Sequence, residues 1–316
     1  MQQLRIVFAG TPEPAVPSLE RLVASGHEVV AVATRPPAPL GRKRVLTPSP
    51  VAQAAERLGI HLIDASRLDA DATGRIAALR PDLGVIVAYG GLVREPLLST
   101  PAHGWINLHF SLLPAWRGAA PVQHALIAGD RQTGAAVFRL VPELDAGDVY
   151  ATVSREVAPG ETAGMLLESL AYDGADLLAT VVDGIAAGTA VAVPQQGEPS
   201  FAPKLTIDEA RLDWTRSVAD VEARFRGVTP EPGAHTEVDG VRVKVLEARI
   251  AEPAADAAVP AAAPTAPGTV RLVDRRVLVS ASDGDLELVR VQPAGRTAMP
   301  AADWWRGLGV AEAVAR

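Results

Sequence analysis

Residues 104–121 read GWINLHFSLLPAWRGAAP, and the interpretation of the whole chain starts from this stretch. Its apolar start predicts a strand in which Asn107 and His109, two residues apart, project from the same face. The strand then breaks into a loop at Ser111 and Pro114. Ligands of open α/β sheets bind beyond the carboxyl ends of strands, so an amide and an imidazole here are candidates for a site. The alternative is an Asn that caps a turn and a structural, half-buried His.

Length and composition limit the class of protein. At 316 residues, 48% of them hydrophobic, two domains are expected. No apolar run approaches the roughly 20 residues of a membrane-spanning helix, and the N-terminus has no signal-peptide pattern, so we expect a cytoplasmic location. The sequence has no cysteine, which excludes disulfides, thiolate zinc sites and a cysteine nucleophile. With a net charge of −7, any nucleic-acid partner must meet a local basic patch.

The first two-thirds of the chain alternates strand and helix patterns. Apolar runs at 4–9 and 27–34 flank a helical pattern at 14–24, which predicts a βαβ unit with a right-handed crossover. The near-continuous apolar run 83–89, which ends at Gly90, is typical of a central parallel strand. We therefore expect an α/β domain with a mostly parallel sheet. The first turn, FAGTP, lacks the GxGxxG fingerprint, so NAD binding is not inferred.

A proline-rich segment, residues 35–50, carries a cluster of basic side chains. It reads RPPAPLGRKRVLTPSP and predicts a long, irregular loop whose tip holds Arg42, Lys43 and Arg44. In an otherwise acidic chain, these side chains are candidates for contact with a nucleic-acid phosphate backbone. The alternative is a solvated charge run that binds nothing.

Two aspartates follow a later predicted strand. The pattern at 133–141 predicts that strand, and the turn PELDAGD at 142–148 then holds Asp145 and Asp148. A carboxylate at this place can orient or charge-pair a nearby imidazole. The same residues are common turn formers, and their spacing alone does not choose between the two interpretations.

The pattern of the chain changes near residue 200. The segment PQQGEPSFAP at 194–203 is interpreted as the exit from a first domain, 1–203, into a second domain, 204–316. Short β segments separated by Asp-Gly turns after residue 235 predict a small barrel of OB type. Residues 251–267 are almost all Ala and Pro, a composition that predicts a mobile loop.

Several motifs occur together in a fixed order. They are FAGTPE at 8–13, AYG at 88–90, INLHFSLLPAWRGAAPVQ at 106–123, ELDAGD at 143–148 and QPAGRTAM at 292–299. Together they resemble the bacterial methionyl-tRNA formyltransferase family, from residue 4 to near residue 305. The Asn-x-His-x-Ser-Leu-Leu-Pro core by itself is similar to the wider group of 10-formyltetrahydrofolate-dependent formyltransferases. The basic loop and QPAGRTAM narrow the match to the enzyme that acts on tRNA.

The resemblance implies a fold and a reaction. The first domain is expected to be Rossmann-like and catalytic, and the second OB-like and in contact with tRNA. The implied reaction moves a formyl group from 10-formyltetrahydrofolate to the free amine of methionine on initiator methionyl-tRNA, for translation initiation. No metal is implied, and we expect a monomer that associates with no membrane.

The resemblance also implies site residues. Asn107, His109 and Asp145 match the catalytic set, and Arg42, Lys43 and Arg44 are expected to contact tRNA. The residues expected to contact the folate are Ser111, Leu112, Leu113, Pro114, Tyr89 and Gly90.

Two other functions stay open from the sequence. A formyltransferase that acts on a sugar amine or another small amine would share the catalytic set but would not need the basic loop or the OB-like domain. A non-catalytic folate- or nucleotide-binding module with an RNA-binding tail is a different class. Removal of His109 would abolish turnover in an enzyme but only change the affinity of a binding module.

Overall fold

The computed structural model describes residues 2–41, 43–252 and 265–316. The chain divides into two compact units. The first comprises residues up to 121, 132–156 and 167–202, and the second comprises 122–131, 157–166 and the residues from 203 onward. Two short segments of the N-terminal two-thirds thus belong to the second unit, and a functional boundary after residue 203 stays a prediction. Most of the predicted mobile loop lies outside the described residues.

The first unit contains eleven of the strands described here. They are β1 (Arg5–Gly10), β2 (Glu28–Thr34), β3 (Ala38–Leu40), β4 (Val45–Thr47), β5 (Leu62–Asp64), β6 (Leu83–Val87), β7 (Trp105–His109), β8 (Arg117–Gly118), β9 (Gln132–Arg139), β10 (Val149–Glu156) and β11 (Phe201–Ala202).

Seven of these strands form the central sheet, in the order β10-β9-β7-β6-β1-β2-β5. The strands from β7 to β5 in this order pair in parallel, whereas β9 pairs antiparallel with both β7 and β10. This arrangement confirms the predicted α/β class with a mostly parallel sheet. Because β7 lies between β6 and β9, its carboxyl end, with His109, is inside the sheet and not at its edge.

Among the described residues, five α-helices occur before residue 190: α1 (Val16–Val23), α2 (Pro50–Arg57), α3 (Ala70–Ala78), α4 (Pro121–Ala128) and α5 (Ala163–Ala186). Polar caps start two of them. Ser49 accepts a hydrogen bond from the Ala52 N–H at the start of α2, and Asp69 accepts one from the Ala72 N–H at the start of α3. Each cap satisfies a backbone donor that the helix itself leaves unpaired.

The close approach of β6 and β7 depends on one glycine. Every residue of β6 is buried, as the sequence predicts for a central parallel strand. A Cβ at Gly84 would lie 2.1 Å from the indole of Trp105 on β7, so no larger residue fits there. The Trp105 Nε1–H donates to the Leu97 carbonyl at 2.8 Å, which fixes the ring. The start of β7, and with it the position of Asn107 two residues on, is therefore set by packing.

The basic segment 35–50 is more regular than the sequence predicts. Strands β3 and β4 pair antiparallel, so the segment forms a short hairpin and the prediction of an irregular loop was wrong. Gly41 adopts a φ of 69° and Arg44 a φ of 50°, and the Arg44 N–H donates to the Gly41 carbonyl at 3.1 Å. These two residues with positive φ allow the tight turn between β3 and β4. The many prolines of the segment did not suggest this turn.

The second unit is a small antiparallel barrel. Its strands are β12 (His235–Val238), β13 (Val241–Ile250), β14 (Thr269–Val273), β15 (Arg276–Ser280), β16 (Asp285–Pro293), β17 (Met299–Pro300) and β18 (Glu312–Val314), with helices α6 (Val218–Gly227) and α7 (Ala301–Leu308). The strand order is β12-β13-β16-β15-β14-β18, and a bridge between Val238 and Ala315 brings the two ends together. The core includes Trp214, Phe225 and Trp305. This architecture confirms the predicted OB-like barrel.

Across the described part of the chain, none of the helices combines the length and the apolar character needed to cross a membrane.

Candidate active site

Strand β7 carries the first two candidate residues at its carboxyl end. Its neighbours in the sheet are β6 and β9, with Asn107 paired to Ile86 and Phe138, and His109 paired to Ala136. His109 is 6% exposed. The side-chain oxygen of Asn107 is buried and has no hydrogen-bond partner among the residues that the structure describes. An unpaired buried polar atom at the end of a central strand is a position where a ligand group would supply the missing bond.

The imidazole of His109 has two different polar neighbours. Its Nε2 lies 2.9 Å from the Trp116 carbonyl oxygen, and its Nδ1 lies 3.8 Å from Oδ2 of Asp145. Because a carbonyl only accepts hydrogen bonds, Nε2 must carry a proton. The distance from Nδ1 to Asp145 is longer than a hydrogen bond, so the carboxylate acts on the ring through its charge. Phe138 packs edge-on against the ring, with centroids 6.4 Å apart.

Asp145 lies in a tight turn between β9 and β10. Its φ of 47° is in the left-handed region, where a non-glycine residue is strained. Its carboxylate is buried and accepts a hydrogen bond from the Gly118 N–H at 2.7 Å. Trp116, which holds the other side of His109, also has a positive φ, of 62°. The pair His109–Asp145 is therefore framed by two strained backbone positions, a feature that recurs at functional sites.

Burial sets the charge of His109. It lowers the pKa of the imidazole below its ordinary value of 6.5, while the Asp145 carboxylate and the Trp116 carbonyl act in the opposite direction. The ring is therefore neutral at pH 7, with its lone pair on Nδ1. A proton taken up at Nδ1 would face the Asp145 carboxylate and be stabilised by it. The ring can thus accept a proton and release it, as a general base and then a general acid.

The lowered pKa of His109 predicts a pH dependence of stability. In the unfolded chain His109 titrates near its ordinary value, about 6.5. The folded protein binds fewer protons just below that pH, so the contribution to stability is complete above about pH 6.5 and falls as the pH drops below it. We expect the free energy of unfolding to fall more between about pH 7.5 and pH 5.5 in the wild type than in His109→Gln. Denaturant titrations measure both slopes, and equal slopes would contradict the assignment.

The loop after β7 combines one buried serine with three half-buried apolar residues. The hydroxyl of Ser111 is buried and donates to the Ala115 carbonyl at 2.6 Å, so it shapes the loop. Leu112, Leu113 and Pro114 are half-buried and keep part of their surface exposed. A folate contact through Ser111 stays a prediction. The exposed surface of Leu112, Leu113 and Pro114 is the part of this loop that a ligand could contact.

The AYG motif lies at the end of β6. Tyr89 is 1% exposed, and its hydroxyl donates to the Ala65 carbonyl at 2.7 Å. Burial raises the pKa of this phenol. Gly90 has a φ of 74°, and its carbonyl accepts a hydrogen bond from Nη2 of Arg35 at 3.1 Å. The Tyr89 ring therefore lies in the core, and folate contact at this motif stays a prediction that concerns the backbone.

The basic hairpin presents charge and apolar surface together. Lys43 and Arg44 are exposed at its tip, whereas Arg42 lies outside the described residues. Leu40, Val45 and Leu46 are 59–67% exposed. The structure places Asn107 two residues before His109 on β7 and brings His109 within 3.8 Å of Asp145, and within the described part of the chain no hydrogen bond or ion pair joins the hairpin to these three residues.

Three groups at the site were missed by sequence reasoning. They are the Trp116 carbonyl, the Gly118 N–H and the side chain of Gln195, which donates to the carbonyls of Asp145 and Gly147. Two are backbone groups inside the quoted stretch, and no residue type reveals them. Gln195 lies in the segment 194–203, which the sequence analysis interprets only as the exit from the first domain. In residues 2–41, 43–252 and 265–316 there is no group of three or more His, Cys, Asp or Glu placed to hold a metal ion.

The site and fold agree with comparisons to known families. A model described as formyl transferase matches residues 4–182, and a model described as formyl transferase, C-terminal domain, matches residues 204–309. The chain therefore belongs to the formyl transferase family, and it is a one-carbon transferase.

Curated relatives narrow the class. The methionyl-tRNA formyltransferase of Clavibacter sepedonicus is 61% identical over 313 residues, which cover 99% of this chain and 100% of the relative. That of Leifsonia xyli subsp. xyli is 61% identical, over 97% of this chain and 98% of the relative. That of Acidothermus cellulolyticus is 49% identical, over 98% of each. The resemblance noted in the sequence is confirmed by these full-length matches.

Solved structures share the fold at low identity. A variant of HypX from Aquifex aeolicus superposes with a TM-score of 0.68 at 18% identity, covering 97% of this chain and 48% of that chain. The N-formyltransferase from Helicobacter canadensis in complex with folinic acid and dTDP-3-aminofucose has a TM-score of 0.67 at 14% identity, covering 90% and 99%. At these identities the likeness concerns the fold alone.

Proposed function

We infer that this chain transfers a formyl group from 10-formyltetrahydrofolate to the free amine of methionine on initiator methionyl-tRNA, for translation initiation. The observation that carries this inference is the identity of 49–61% to methionyl-tRNA formyltransferases over nearly the full length of both chains. The neighbouring Asn107, His109 and Asp145 supply the polar groups that the reaction needs. The function implies a cytoplasmic enzyme, and we propose that it acts as a monomer.

The site fits a formyl donor. The side-chain oxygen of Asn107 is buried and has no partner among the described residues, so it can accept a hydrogen bond from a ligand, and the amide nitrogen beside it is the donor proposed for the formyl oxygen. The part-exposed Leu112, Leu113 and Pro114 would offer apolar surface to the flat ring system of a folate. We propose that the backbone of Tyr89 and Gly90 completes the contact, since the Tyr89 ring is committed to the core.

The proposed reaction starts with attack by the neutral methionyl amine on the formyl carbon. An α-amino group titrates at about 7.7–8.0, so a substantial fraction is neutral at physiological pH. The new C–N bond forms, and the formyl oxygen gains negative charge. The Asn107 amide donates an N–H to that oxygen, and such a donor stabilises the transition state because it is fixed before the charge develops.

Proton transfer then completes the exchange. Nδ1 of His109 takes the proton that the amine loses, and Asp145 stabilises the resulting imidazolium. When the tetrahedral intermediate collapses, the bond from carbon to N10 of the folate breaks and His109 returns the proton to N10. The products are formyl-methionyl-tRNA and tetrahydrofolate, and His109 is neutral again.

The acceptor can be tested directly against the small-amine alternative. Wild-type protein is mixed with 10-formyltetrahydrofolate labelled in the formyl group and, in separate reactions, with methionyl initiator tRNA or with a nucleotide-linked amino sugar. The label should appear on the aminoacyl-tRNA. Transfer to the amino sugar at a comparable or higher kcat/KM would contradict the proposed acceptor and support a sugar formyltransferase.

The basic hairpin is proposed to contact the tRNA, and this yields a charge prediction. Arg42→Ala and Lys43→Ala should each lower kcat/KM for methionyl-tRNA, while binding of 10-formyltetrahydrofolate stays within about twofold. Each lost phosphate contact should also reduce the slope of log K against log salt by somewhat less than one.

A matched control is available for the hairpin variants. Arg75→Ala removes the same charge from an exposed position of helix α3 and should leave tRNA use and the salt slope unchanged. Equal losses in all three variants would attribute the effect to net charge and not to the hairpin.

A further inference from the structure

The side chain of Gln195 makes four hydrogen bonds. Its Nε2 donates to the carbonyl of Asp145 at 2.8 Å and to the carbonyl of Gly147 at 2.9 Å. Its Oε1 accepts from Arg117, at 2.6 Å from Nη2 and 3.2 Å from Nε. Every donor and acceptor position of the amide is therefore used, and the bonds from the guanidinium are strengthened by its charge.

The two bonds from Nε2 bracket a strained turn. Asp145 has a φ of 47°, a conformation that costs free energy for a non-glycine residue. Gly147 lies so close to β9 that a Cβ there would be 1.8 Å from the Arg139 carbonyl. A turn of this kind persists only when the surroundings over-determine it. Gln195 supplies two of the bonds that hold its backbone.

The same network holds the carboxylate and the imidazole. Arg117, which grips Gln195, is followed by Gly118, whose N–H donates to the Asp145 carboxylate at 2.7 Å. Further along the Gln195 segment, Ser200 accepts a hydrogen bond from the Trp116 N–H at 2.9 Å. Strand β11 next to it pairs with β8. The segment 195–202 is therefore hydrogen-bonded to the backbone on both sides of the His109–Asp145 pair, at the turn of Asp145 and at Trp116.

We propose that Gln195 is a positioning residue for formyl transfer, which holds the turn of Asp145 so that its carboxylate stays directed at His109. This inference rests on the proposed function. It concerns the geometry of the pair and not any contact of Gln195 with substrate.

The distance between His109 and Asp145 explains why the position of the Asp145 turn would affect the reaction. At 3.8 Å, Asp145 acts on Nδ1 through charge alone, without a hydrogen bond that would fix the distance. The Coulomb attraction falls with distance, and an imidazolium in a buried site depends on it. A misplacement of about 1 Å at a catalytic group can lower the rate about a hundredfold.

The test compares two neighbouring glutamines. Gln195→Met keeps the length of the side chain but removes its hydrogen bonds, and Gln196→Met makes the same change at an exposed position. We expect Gln195→Met to lower kcat about ten- to hundredfold, with both KM values within about threefold of wild type. Gln196→Met should stay within about twofold of wild type in both parameters.

A second measurement does not depend on turnover. NMR titration of the imidazole signals gives the pKa of His109, whose signal is identified by its loss in His109→Gln. Loosening Asp145 should lower this pKa further in Gln195→Met and leave it unchanged in Gln196→Met, because the carboxylate is the charge that raises it. If Gln195→Met does not fold, Arg117→Lys, which breaks the paired bonds to Oε1, is expected to shift kcat and the pKa in the same directions.

The outcomes separate this proposal from the proposed function. If Gln195→Met is folded and matches Gln196→Met in kcat and in the pKa of His109, the positioning role is overturned. If the wild type transfers no formyl group to methionyl-tRNA, the proposed function fails, and the NMR titration still decides whether Gln195 positions Asp145.

Discussion

Replacing His109 with glutamine is expected to lower kcat about a hundred- to ten-thousandfold, the range that general acid–base catalysis contributes. Glutamine keeps a donor for the Trp116 carbonyl, which His109 Nε2 contacts at 2.9 Å, but it cannot take up a proton. The substitution therefore removes the proton transfer and keeps a polar donor to the Trp116 carbonyl, although the aromatic contact with Phe138 is lost. Initial rates of formyl transfer at saturating donor and acceptor measure the loss.

A histidine on the surface provides the control for this variant. His61→Gln changes an exposed side chain immediately before the edge strand β5 and should turn over like the wild type. A loss smaller than about tenfold in folded His109→Gln would show that the imidazole does not carry the proton, since one catalytic proton transfer contributes more than that.

Asn107→Ala is expected to lower kcat about a hundred- to thousandfold, because a donor to the developing oxyanion is lost. The same substitution should have little effect on stability. The side-chain oxygen of Asn107 is buried without a partner among the described residues, and such a group costs about 1–3 kcal/mol. Its removal should offset the packing lost with the side chain, so the midpoint of thermal unfolding should not fall appreciably while activity collapses.

A matched control for Asn107→Ala lies on the neighbouring strand β9. Gln132→Ala removes an exposed amide from neighbouring β9 and should change neither kcat nor the unfolding midpoint beyond experimental scatter. If Asn107→Ala loses stability and activity in proportion, Asn107 is a structural residue. Asn107 is the only asparagine in the sequence, so a sample labelled with ¹⁵N in the asparagine side-chain amide reports folate binding at this position alone.

The sequence predicts the elements that local patterns determine. The apolar run that predicts β6 and the apolar start that predicts β7 are both found as strands, so Asn107 and His109 lie at the carboxyl end of a central strand. These follow from periodicity and from the rule that ligands bind beyond strand ends. The short β segments after residue 235 likewise form the predicted barrel.

The rest depends on contacts between distant parts of the chain. The His109–Asp145 approach joins residues on different elements, and the contacts of Gln195 join residues about fifty positions apart, which no local pattern encodes. The direction of single side chains was also out of reach. Tyr89 turns into the core, and the Ser111 hydroxyl is satisfied inside its own loop, although both lie in motifs of the site.

The most direct test of the proposed function is formyl transfer to initiator methionyl-tRNA, measured beside elongator methionyl-tRNA that carries the same amino acid. The two acceptors present the same amine to Asn107, His109 and Asp145, so any difference comes from the tRNA. We expect efficient formylation of the initiator, little of the elongator, and loss of the initiator reaction in Asn107→Ala. Equal rates for both tRNAs, or an initiator rate that Asn107→Ala leaves unchanged, would contradict the account.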